Sequence, residues 1–317
     1  PATTWGIFED IYCPKEETFA FLEGVLTEVM ELFPGEYIHI GGDEAPKAHW
    51  EASEVAQEVM RREGLADESE LQSWFVRRIE RFLDAHGRRL IGWDEILEGG
   101  LAPNATVMSW RGVQGGIDAA RQGHDVVMTP TSHVYFDYLQ GDAAQEPLGI
   151  GGFVPLERVY AFEPVPDELS AAEARHVLGA QANLWTEYIP TGEHAEYMLN
   201  PRLLALSEVV WSPPEARDFS DFARRLPWHL RRMDALGIRY RIPDVLGLER
   251  DGLTLDDKAR VELAAAASGV IRYTLDGTDP TSASPNYLHP LELDVEDGPV
   301  TVSARLFTEG GQAGPMR

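Results

Sequence analysis

The sequence predicts an α/β fold, with a five-stranded parallel sheet followed by a small antiparallel β-sandwich. Two observations support this prediction. Between residues 37 and 187, short apolar runs alternate with helical patterns, which is typical of β/α units. After Ile242-Pro243, turn-rich sequence replaces most of the helical periodicity. We therefore predict a first domain over residues 1–242 and a second over residues 243–317.

The individual elements follow from the spacing of apolar residues. Five apolar runs that end in polar or aromatic residues are predicted strands: Tyr37 to Gly42, Arg89 to Trp93, Thr106 to Trp110, Asp125 to Thr129 and Val177 to Trp185. Helical spacing predicts Glu16 to Phe33, Ser69 to Ala85, Gln114 to Arg121, Ala195 to Val210 and Phe222 to Leu236 as helices. Strands alternating with helices favour a parallel sheet. In the second domain, Val270 to Leu275 and Val300 to Phe307 alternate as half-buried antiparallel strands do.

Charge and cysteine content narrow the range of partners. The chain has 53 acidic and 27 basic residues, a formal net charge of −26 that disfavours nucleic acid and anionic membranes as partners. No apolar run approaches the roughly 20 residues of a membrane span. Cys13 is the only cysteine, which rules out an intramolecular disulfide and a cysteine-based metal site. The oligomeric state and compartment stay open, with the periplasm or cell exterior favoured over the cytoplasm.

Acidic and aromatic residues follow the predicted strands where each strand ends. In a parallel β/α protein, the carboxyl ends of the strands carry the functional groups. Aromatic rings stack on the C–H faces of sugars, while carboxylates bind sugar hydroxyls. A carbohydrate site is therefore predicted from these residues: Asp43, Glu44, Trp93, Trp110, Tyr135, Asp137, Trp185 and Glu187.

Each of these residue types also has a simpler structural explanation. A single Trp at a strand end is more often part of the core, but three at separate strand ends favour a ligand site. The other tryptophans lack that placement and are predicted to pack in the interior: Trp5, Trp50, Trp74, Trp211 and Trp228. Asp43-Glu44 precedes a helix, so helix capping is the alternative for this pair. Gly41-Gly42 argues against a simple cap, because a cap does not need two glycines.

The chemistry of an adjacent acid pair suggests how it would act. Two like charges close together raise the proton affinity of one group, which then serves as an acid near neutral pH. Neighbours in sequence are poorly placed to act as acid and nucleophile on opposite faces of a glycosidic bond. With Glu44 as the acid, a 2-acetamido group on the substrate is a candidate nucleophile.

The segment His39-Ile-Gly-Gly-Asp-Glu44 resembles the signature of glycoside hydrolase family 20, the β-N-acetylhexosaminidases, which include bacterial chitobiases and lysosomal hexosaminidases. The likeness covers about residues 1–242 and continues through further segments: Gly92-Trp-Asp-Glu95, Ser109-Trp-Arg111, Tyr135-Phe-Asp137, Gln181 to Glu187 and Glu196 to Trp211. The segment Ile271 to Pro280 is similar to the small C-terminal β-sandwich of chitobiase-like members.

The resemblance implies a (β/α)8 barrel of the TIM type, of which this sequence offers only about the last five β/α units. The first three strands are therefore expected to lie upstream of Pro1, which makes the chain an N-terminally truncated one. The implied activity is exo-acting, retaining hydrolysis of terminal N-acetylglucosamine or N-acetylgalactosamine through an oxazolinium intermediate. No metal or organic cofactor is implied.

The resemblance also implies a role for each site residue. Glu44 would be the general acid and then base, and Asp43 would orient the acetamido N–H. The acetamido pocket would be lined by Trp93, Trp110 and Trp185, which would also stack on the sugar ring. Tyr135 would donate a hydrogen bond to the acetamido oxygen, while Asp137 and Glu187 would hold ring hydroxyls.

Two other functions are compatible with parts of the sequence. A catalytically incompetent carbohydrate-binding fragment would keep the aromatic platforms without turnover, since three barrel strands are expected to be missing. A metal hydrolase could use His39, Asp43, Glu44 and His49, because histidines and carboxylates in a short window can ligate zinc.

Overall fold

The computed structural model describes residues 6, 8–248, 258–265, 267–294 and 298–316. The chain divides into two compact units. The first contains Pro1–Ser132 and Pro164–Gln181, and the second contains His133–Glu163 and Ala182–Arg317. The predicted boundary after residue 242 therefore falls inside the second unit, and it stays a prediction.

The first unit contains a sheet of five parallel strands that are adjacent in the order of the sequence. These strands are β1 (Tyr37–His39), β2 (Arg89–Trp93), β3 (Thr106–Ser109), β4 (Val126–Met128) and β5 (Val177–Ala180). The prediction of five parallel strands is confirmed. All but β2 end earlier than predicted, so several site residues lie in the segments that follow the strands.

Ten α-helices lie in the described residues, numbered along the chain. They are α1 (Glu16–Leu32), α2 (Ala48–Glu51), α3 (Glu54–Glu63), α4 (Glu68–Ala85), α5 (Gln114–Arg121), α6 (Thr131–Val134), α7 (Leu156–Tyr160), α8 (Gly192–Leu199), α9 (Arg202–Trp211) and α10 (Phe219–Leu236). The single helix predicted over residues 195–210 is wrong. It is two helices, α8 and α9, because Pro201 has no backbone N–H to continue the helical hydrogen bonds.

Helices cover one face of the sheet in the first unit. Helix α4 packs on β2 with Leu71 and Leu83 fully buried, and α5 packs on β3 and β4. Successive side chains of a strand point to opposite faces, so Ile91 and Trp93 share a face of β2. Together with Met108 they form an apolar cluster, against which Trp110 packs. This cluster brings two of the predicted site tryptophans together.

The last part of the second unit is built from short antiparallel strands. They are β6 (Val245–Leu246), β7 (Lys258–Val261), β8 (Ala264–Ala265), β9 (Val270–Thr274), β10 (Leu291–Asp294) and β11 (Ser303–Phe307), and they pair as β6 with β8, β7 with β10 and β9 with β11. The predicted antiparallel character is confirmed. Gln312, in the segment that follows β11, donates a hydrogen bond of 3.1 Å to Asp234 in α10, so this segment contacts the preceding helix within the same unit.

The tryptophans assigned to packing behave differently from one another. Trp50 is buried, and Trp74 meets Phe19 edge to face at 5.6 Å, as predicted. Trp211 and Trp228 are 88% and 64% exposed, so the packing prediction is wrong for both, because their positions on α9 and α10 point away from the unit's core. Trp5 lies outside the described residues. Within those residues, no helix combines the length and the apolar character needed to cross a bilayer.

Candidate active site

The segment after β1 turns sharply before it reaches the two carboxylates. Gly41 and Gly42 have φ angles of +74° and +95°, and Glu44 has a φ of +45°. Glu44 is the one non-glycine residue with positive φ in the described part of the chain. Such a backbone costs about 1–3 kcal/mol and persists only where its surroundings enforce it. The conformation therefore indicates that the structure holds Glu44 in a specific position.

Hydrogen bonds from two other elements fix this turn. The carbonyl of Gly41 accepts from the Trp93 backbone N–H at 2.9 Å, which extends the pairing of β1 with β2. The Gly41 N–H donates to Nδ1 of His39 at 3.0 Å. The carbonyl of Gly42 accepts from Nε2 of Gln72 in α4 at 2.7 Å. Both glycine peptides are thus anchored to the body of the unit.

Close packing explains why residue 42 is a glycine. A Cβ added to Gly42 would lie 2.7 Å from Cγ2 of Ile96, which is buried. Gly92 on β2 is similarly restricted, since its Cβ would lie 3.0 Å from the Gly41 carbonyl oxygen. The turn that presents Asp43 and Glu44 therefore has no room for side chains behind it.

The electrostatic surroundings favour a protonated Glu44. Partial burial raises the pKa of Glu44 above its usual range, and the negative charge of Asp43 raises it further. Burial lowers the pKa of His39, against the opposing effect of Asp43. Neutral His39 accepts from Gly41 through Nδ1, which places its proton on Nε2. A proton is therefore retained on Glu44 at higher pH than on an ordinary glutamate.

Trp93 and Trp110 are the aromatic candidate site residues of the first unit. Trp93 is buried and meets the His39 ring edge to face, with ring centroids 4.8 Å apart. Nε1 of Trp110 donates to Oε2 of Glu95 at 2.9 Å. The backbone N–H of Trp110 donates to Oδ2 of Asp94 at 3.0 Å. Both the ring and the backbone of Trp110 are held by carboxylates.

Asp94 and Glu95, which bind Trp110, were not among the site residues selected from the sequence. Asp94 is 2% exposed and accepts from Nε of Arg111 at 2.5 Å. Arg111 also pairs with Glu98 at 2.9 Å. Burial raises the pKa of Glu95, although the Trp110 indole opposes that rise. Their position directly after Trp93, at a strand end, was the signal that could have identified them.

The second unit contains Tyr135, Asp137, Trp185 and Glu187. Residues 135 and 183 form a parallel bridge, and the Phe136 N–H donates to the Asn183 carbonyl at 2.7 Å. Tyr135 is buried, which raises its pKa to about 12 against hydrogen bonds with Asn183 and Trp185. Tyr135 therefore keeps its phenolic proton and can donate it in a hydrogen bond. Trp185 is 43% exposed, so part of its surface is accessible to a ligand.

Asp137 is a buried carboxylate with one unused oxygen. It is 4% exposed, and burial raises its pKa to about 6. Hydrogen bonds from the backbone of Asp137 and Trp185 oppose this rise, Glu187 raises the pKa further, and the charge of Arg202 lowers it. Within the described residues, Oδ1 of Asp137 has no hydrogen-bond partner. A buried acceptor without a partner is costly, and a ligand hydroxyl would satisfy it.

The histidines of the metal hypothesis have other contacts. His39 contacts Gly41 and Trp93, and Nε2 of His49 lies 3.8 Å from Glu9. In the described parts of the chain, no group of three or more His, Cys, Asp or Glu side chains is arranged to hold a metal ion. The structure therefore gives no support to a metal site at these residues.

The first unit contains a parallel β/α sheet, and an acid pair and two tryptophans follow the carboxyl ends of its strands. This arrangement is typical of barrel-type α/β enzymes. Comparison with known families agrees. Residues 1–214 match the catalytic domain of glycosyl hydrolase family 20, and residues 250–317 match the C-terminal domain of chitobiase and β-hexosaminidase. The chain belongs to glycosyl hydrolase family 20.

Individual relatives are similar to this chain over much of its length. A β-hexosaminidase of Porphyromonas gingivalis is 50% identical over 321 residues, which cover 100% of this chain and 41% of that protein. A β-hexosaminidase of Vibrio furnissii is 39% identical over 60% of this chain and 32% of its own length. The chain thus spans less than half the length of these relatives.

Solved structures show the same fold. An exo-β-N-acetylglucosaminidase of family 20 from Vibrio harveyi, in complex with N-acetylglucosamine, superimposes with a TM-score of 0.66 at 33% identity, covering 73% of this chain and 37% of that one. An N-acetyl-β-hexosaminidase from Streptomyces plicatus gives a TM-score of 0.61 at 28% identity, covering 75% and 45%. These neighbours confirm the barrel-type α/β fold of the family.

Proposed function

We propose that this chain carries the catalytic groups of an exo-acting β-N-acetylhexosaminidase that releases terminal N-acetylhexosamine with retention of configuration. The natural substrates are oligosaccharides or glycoconjugates that end in N-acetylglucosamine or N-acetylgalactosamine. The observation that carries the proposal is the presentation of Asp43 and Glu44 on a tightly held, left-handed turn. Membership of family 20 and the names of the relatives support the same activity.

Glu44 is the proton donor in this proposal. Its raised pKa keeps the carboxylic acid protonated to higher pH than an ordinary glutamate, so it can protonate the leaving glycosidic oxygen as the bond breaks. Once the aglycone has left, the Glu44 carboxylate removes a proton from the incoming water. One residue then serves as acid in the first step and base in the second.

The nucleophile is the carbonyl oxygen of the substrate's own 2-acetamido group. It attacks C1 as the leaving group departs and forms a cyclic oxazolinium ion, which water opens to give the retained product. Asp43 accepts a hydrogen bond from the acetamido N–H, which makes the acetamido carbonyl oxygen more nucleophilic. Tyr135 retains its proton, with a pKa raised to about 12, and its O–H donates a hydrogen bond to the acetamido oxygen.

The remaining residues bind the sugar. Trp93, Trp110 and Trp185 wall the acetamido group and stack on the ring, because indoles pack well on the C–H faces of sugars. The unpartnered Oδ1 atom of Asp137 accepts a hydrogen bond from a ring hydroxyl. Glu187 accepts a hydrogen bond from another ring hydroxyl. This arrangement of groups needs no metal ion or organic cofactor for the chemistry.

Release of p-nitrophenol from p-nitrophenyl β-N-acetylglucosaminide tests the proposal in the natural protein. Glu44→Gln is expected to lower kcat by about 100- to 10,000-fold, the usual contribution of a general acid and base. Glu51→Gln, an exposed residue on α2 of the same unit, is the matched control and is expected to leave kcat unchanged. Turnover that survives Glu44→Gln would contradict the proposal.

The same assay separates the non-catalytic alternative. A carbohydrate-binding protein without activity would show quenching of tryptophan fluorescence by N-acetylglucosamine but no release of p-nitrophenol. The proposed hydrolase shows both. Parallel measurement of quenching and turnover on the wild-type protein therefore distinguishes the two functions.

A further inference from the structure

Arg202, the first residue of α9, is fully buried in the second unit. A buried guanidinium is costly unless its donors are satisfied. Nη2 donates to the carbonyl oxygens of Phe136 and Met198, both at 2.6 Å. Nη1 donates to the carbonyl oxygens of Tyr138 and Val154, both at 2.9 Å. Four backbone carbonyls from three separate segments therefore converge on one side chain.

Two of these carbonyls flank Asp137 in the sequence. The residues before and after it, Phe136 and Tyr138, bind different nitrogens of the same planar group. The guanidinium carbon of Arg202 also lies 4.8 Å from the centre of the Phe136 ring. Because the guanidinium is rigid, these contacts fix the backbone on both sides of Asp137.

Arg202 also acts on Asp137 through its charge. Burial lowers the pKa of Arg202 to about 9, so the side chain is still positive at neutral pH. That charge lowers the pKa of Asp137, against burial and the charge of Glu187. The phenols of Tyr135 and Tyr138 interact electrostatically with the Asp137 carboxylate as well. Hydrogen bonds from the backbone N–H groups of Asp137 and Trp185 also lower this pKa, and Arg202 adds a positive charge that acts in the same direction.

We propose that Arg202 is a positioning residue for sugar binding. It holds the backbone of residues 136–138 in the conformation that presents Tyr135 and Asp137 to the sugar, and it supplies the positive charge that keeps Asp137 able to accept a hydroxyl. This inference rests on the proposed function of Tyr135 and Asp137. Arg202 itself binds backbone carbonyls through four hydrogen bonds and does not need to touch the substrate.

Arg241 offers a matched control in the same unit. Its side chain is 9% exposed, and its Nε lies 2.5 Å from Oε1 of Glu146, with Asp244 at 3.2 Å. Arg241 is thus a buried arginine, as Arg202 is, but its side chain donates hydrogen bonds to these two acids and not to residues 136–138. Its replacement should destabilise the unit without changing how Asp137 is presented.

The test compares Arg202→Met and Arg202→Lys with Arg241→Met and Arg241→Lys in the natural protein. Melting temperature, kcat, KM and the pH profile of kcat/KM are measured with p-nitrophenyl β-N-acetylglucosaminide. Arg202→Met is expected to lower kcat/KM by about 100-fold, mainly through KM. The acidic limb of its kcat/KM profile is expected to move to higher pH, because the charge of Arg202 that lowers the pKa of Asp137 is gone.

Arg202→Lys retains a cation with three donors and is expected to restore part of kcat/KM and of the acidic limb. The Arg241 variants should lower the melting temperature while leaving the pH profile unchanged. If the Arg202 variants change the melting temperature alone, as the Arg241 variants do, the proposal is overturned. If Arg202→Met does not fold, the pH profiles of the two lysine variants decide, and identical profiles overturn the proposal.

Asp137→Asn separates this inference from the proposed function. If Asp137→Asn removes the acidic limb while the Arg202 variants leave it in place, the positioning role fails and the role of Asp137 stands. If Asp137→Asn changes neither kcat/KM nor the acidic limb, the proposed role of Asp137 fails first.

Discussion

Gly42→Ala is expected to slow turnover while the protein stays folded. Gly42 has a φ of +95°, a conformation that costs an alanine about 1–2 kcal/mol. The new Cβ would also lie 2.7 Å from Cγ2 of Ile96, well inside the 3.5–4.0 Å at which carbon atoms pack best. The turn must shift to relieve this contact, and Asp43 and Glu44 shift with it. A displacement of about 1 Å at catalytic groups can cost roughly 100-fold in rate.

Gly64→Ala provides the control for backbone strain. Gly64 ends α3 with a φ of +71°, and a Cβ there would meet nothing within 4 Å. This variant is expected to lose about 1 kcal/mol of stability with no change in kcat/KM. Both variants are assayed by p-nitrophenol release and by thermal unfolding. Wild-type kcat/KM in Gly42→Ala, with stability lowered only as much as in Gly64→Ala, would refute the reasoning.

Three further predictions concern the same site. Asp43→Asn should move the alkaline limb of the kcat profile to lower pH, because the Asp43 charge raises the pKa at which Glu44 loses its proton; a limb that stays in place or rises argues against this coupling. Glu95→Leu removes the acceptor that lies 2.9 Å from the Trp110 indole nitrogen and should raise KM about tenfold with little change in kcat. An unchanged KM would show that Trp110 is held in place by other contacts. Prolonged treatment with a chelator should leave kcat unchanged, whereas loss of activity that zinc restores would favour the metal hydrolase.

The parallel sheet could be predicted because its strands are short apolar runs with helical patterns between them. The rule that functional groups follow the carboxyl ends of strands then selected Trp93, Trp110 and the acid pair. The single helix predicted over residues 195–210 failed because apolar spacing continues across Pro201, and spacing alone does not register a missing N–H donor. Helical periodicity likewise does not show which side of α9 is covered, so the exposure of Trp211 was not foreseen.

Features of the site that depend on distant contacts could not be predicted. The positive φ of Glu44 follows from anchoring of the turn by β2 and α4, and the requirement for glycine at residue 42 follows from the position of Ile96. Arg202 is 64 residues from Tyr138, whose carbonyl it binds, and arginine is normally an exposed residue. Its burial arises from tertiary packing, for which the apolar pattern of α9 carries no signal.

The most direct test of the account is the dependence of rate on the nucleophilicity of the substrate's acetamide. Progressive fluorination of the acetyl methyl group in p-nitrophenyl β-N-acetylglucosaminide weakens the carbonyl oxygen as a nucleophile and leaves the leaving group unchanged. The account predicts that kcat falls steeply with each added fluorine. A kcat that is independent of fluorination would contradict it, because the acetamide would then take no part in displacing the aglycone, and an enzyme carboxylate would have to do so.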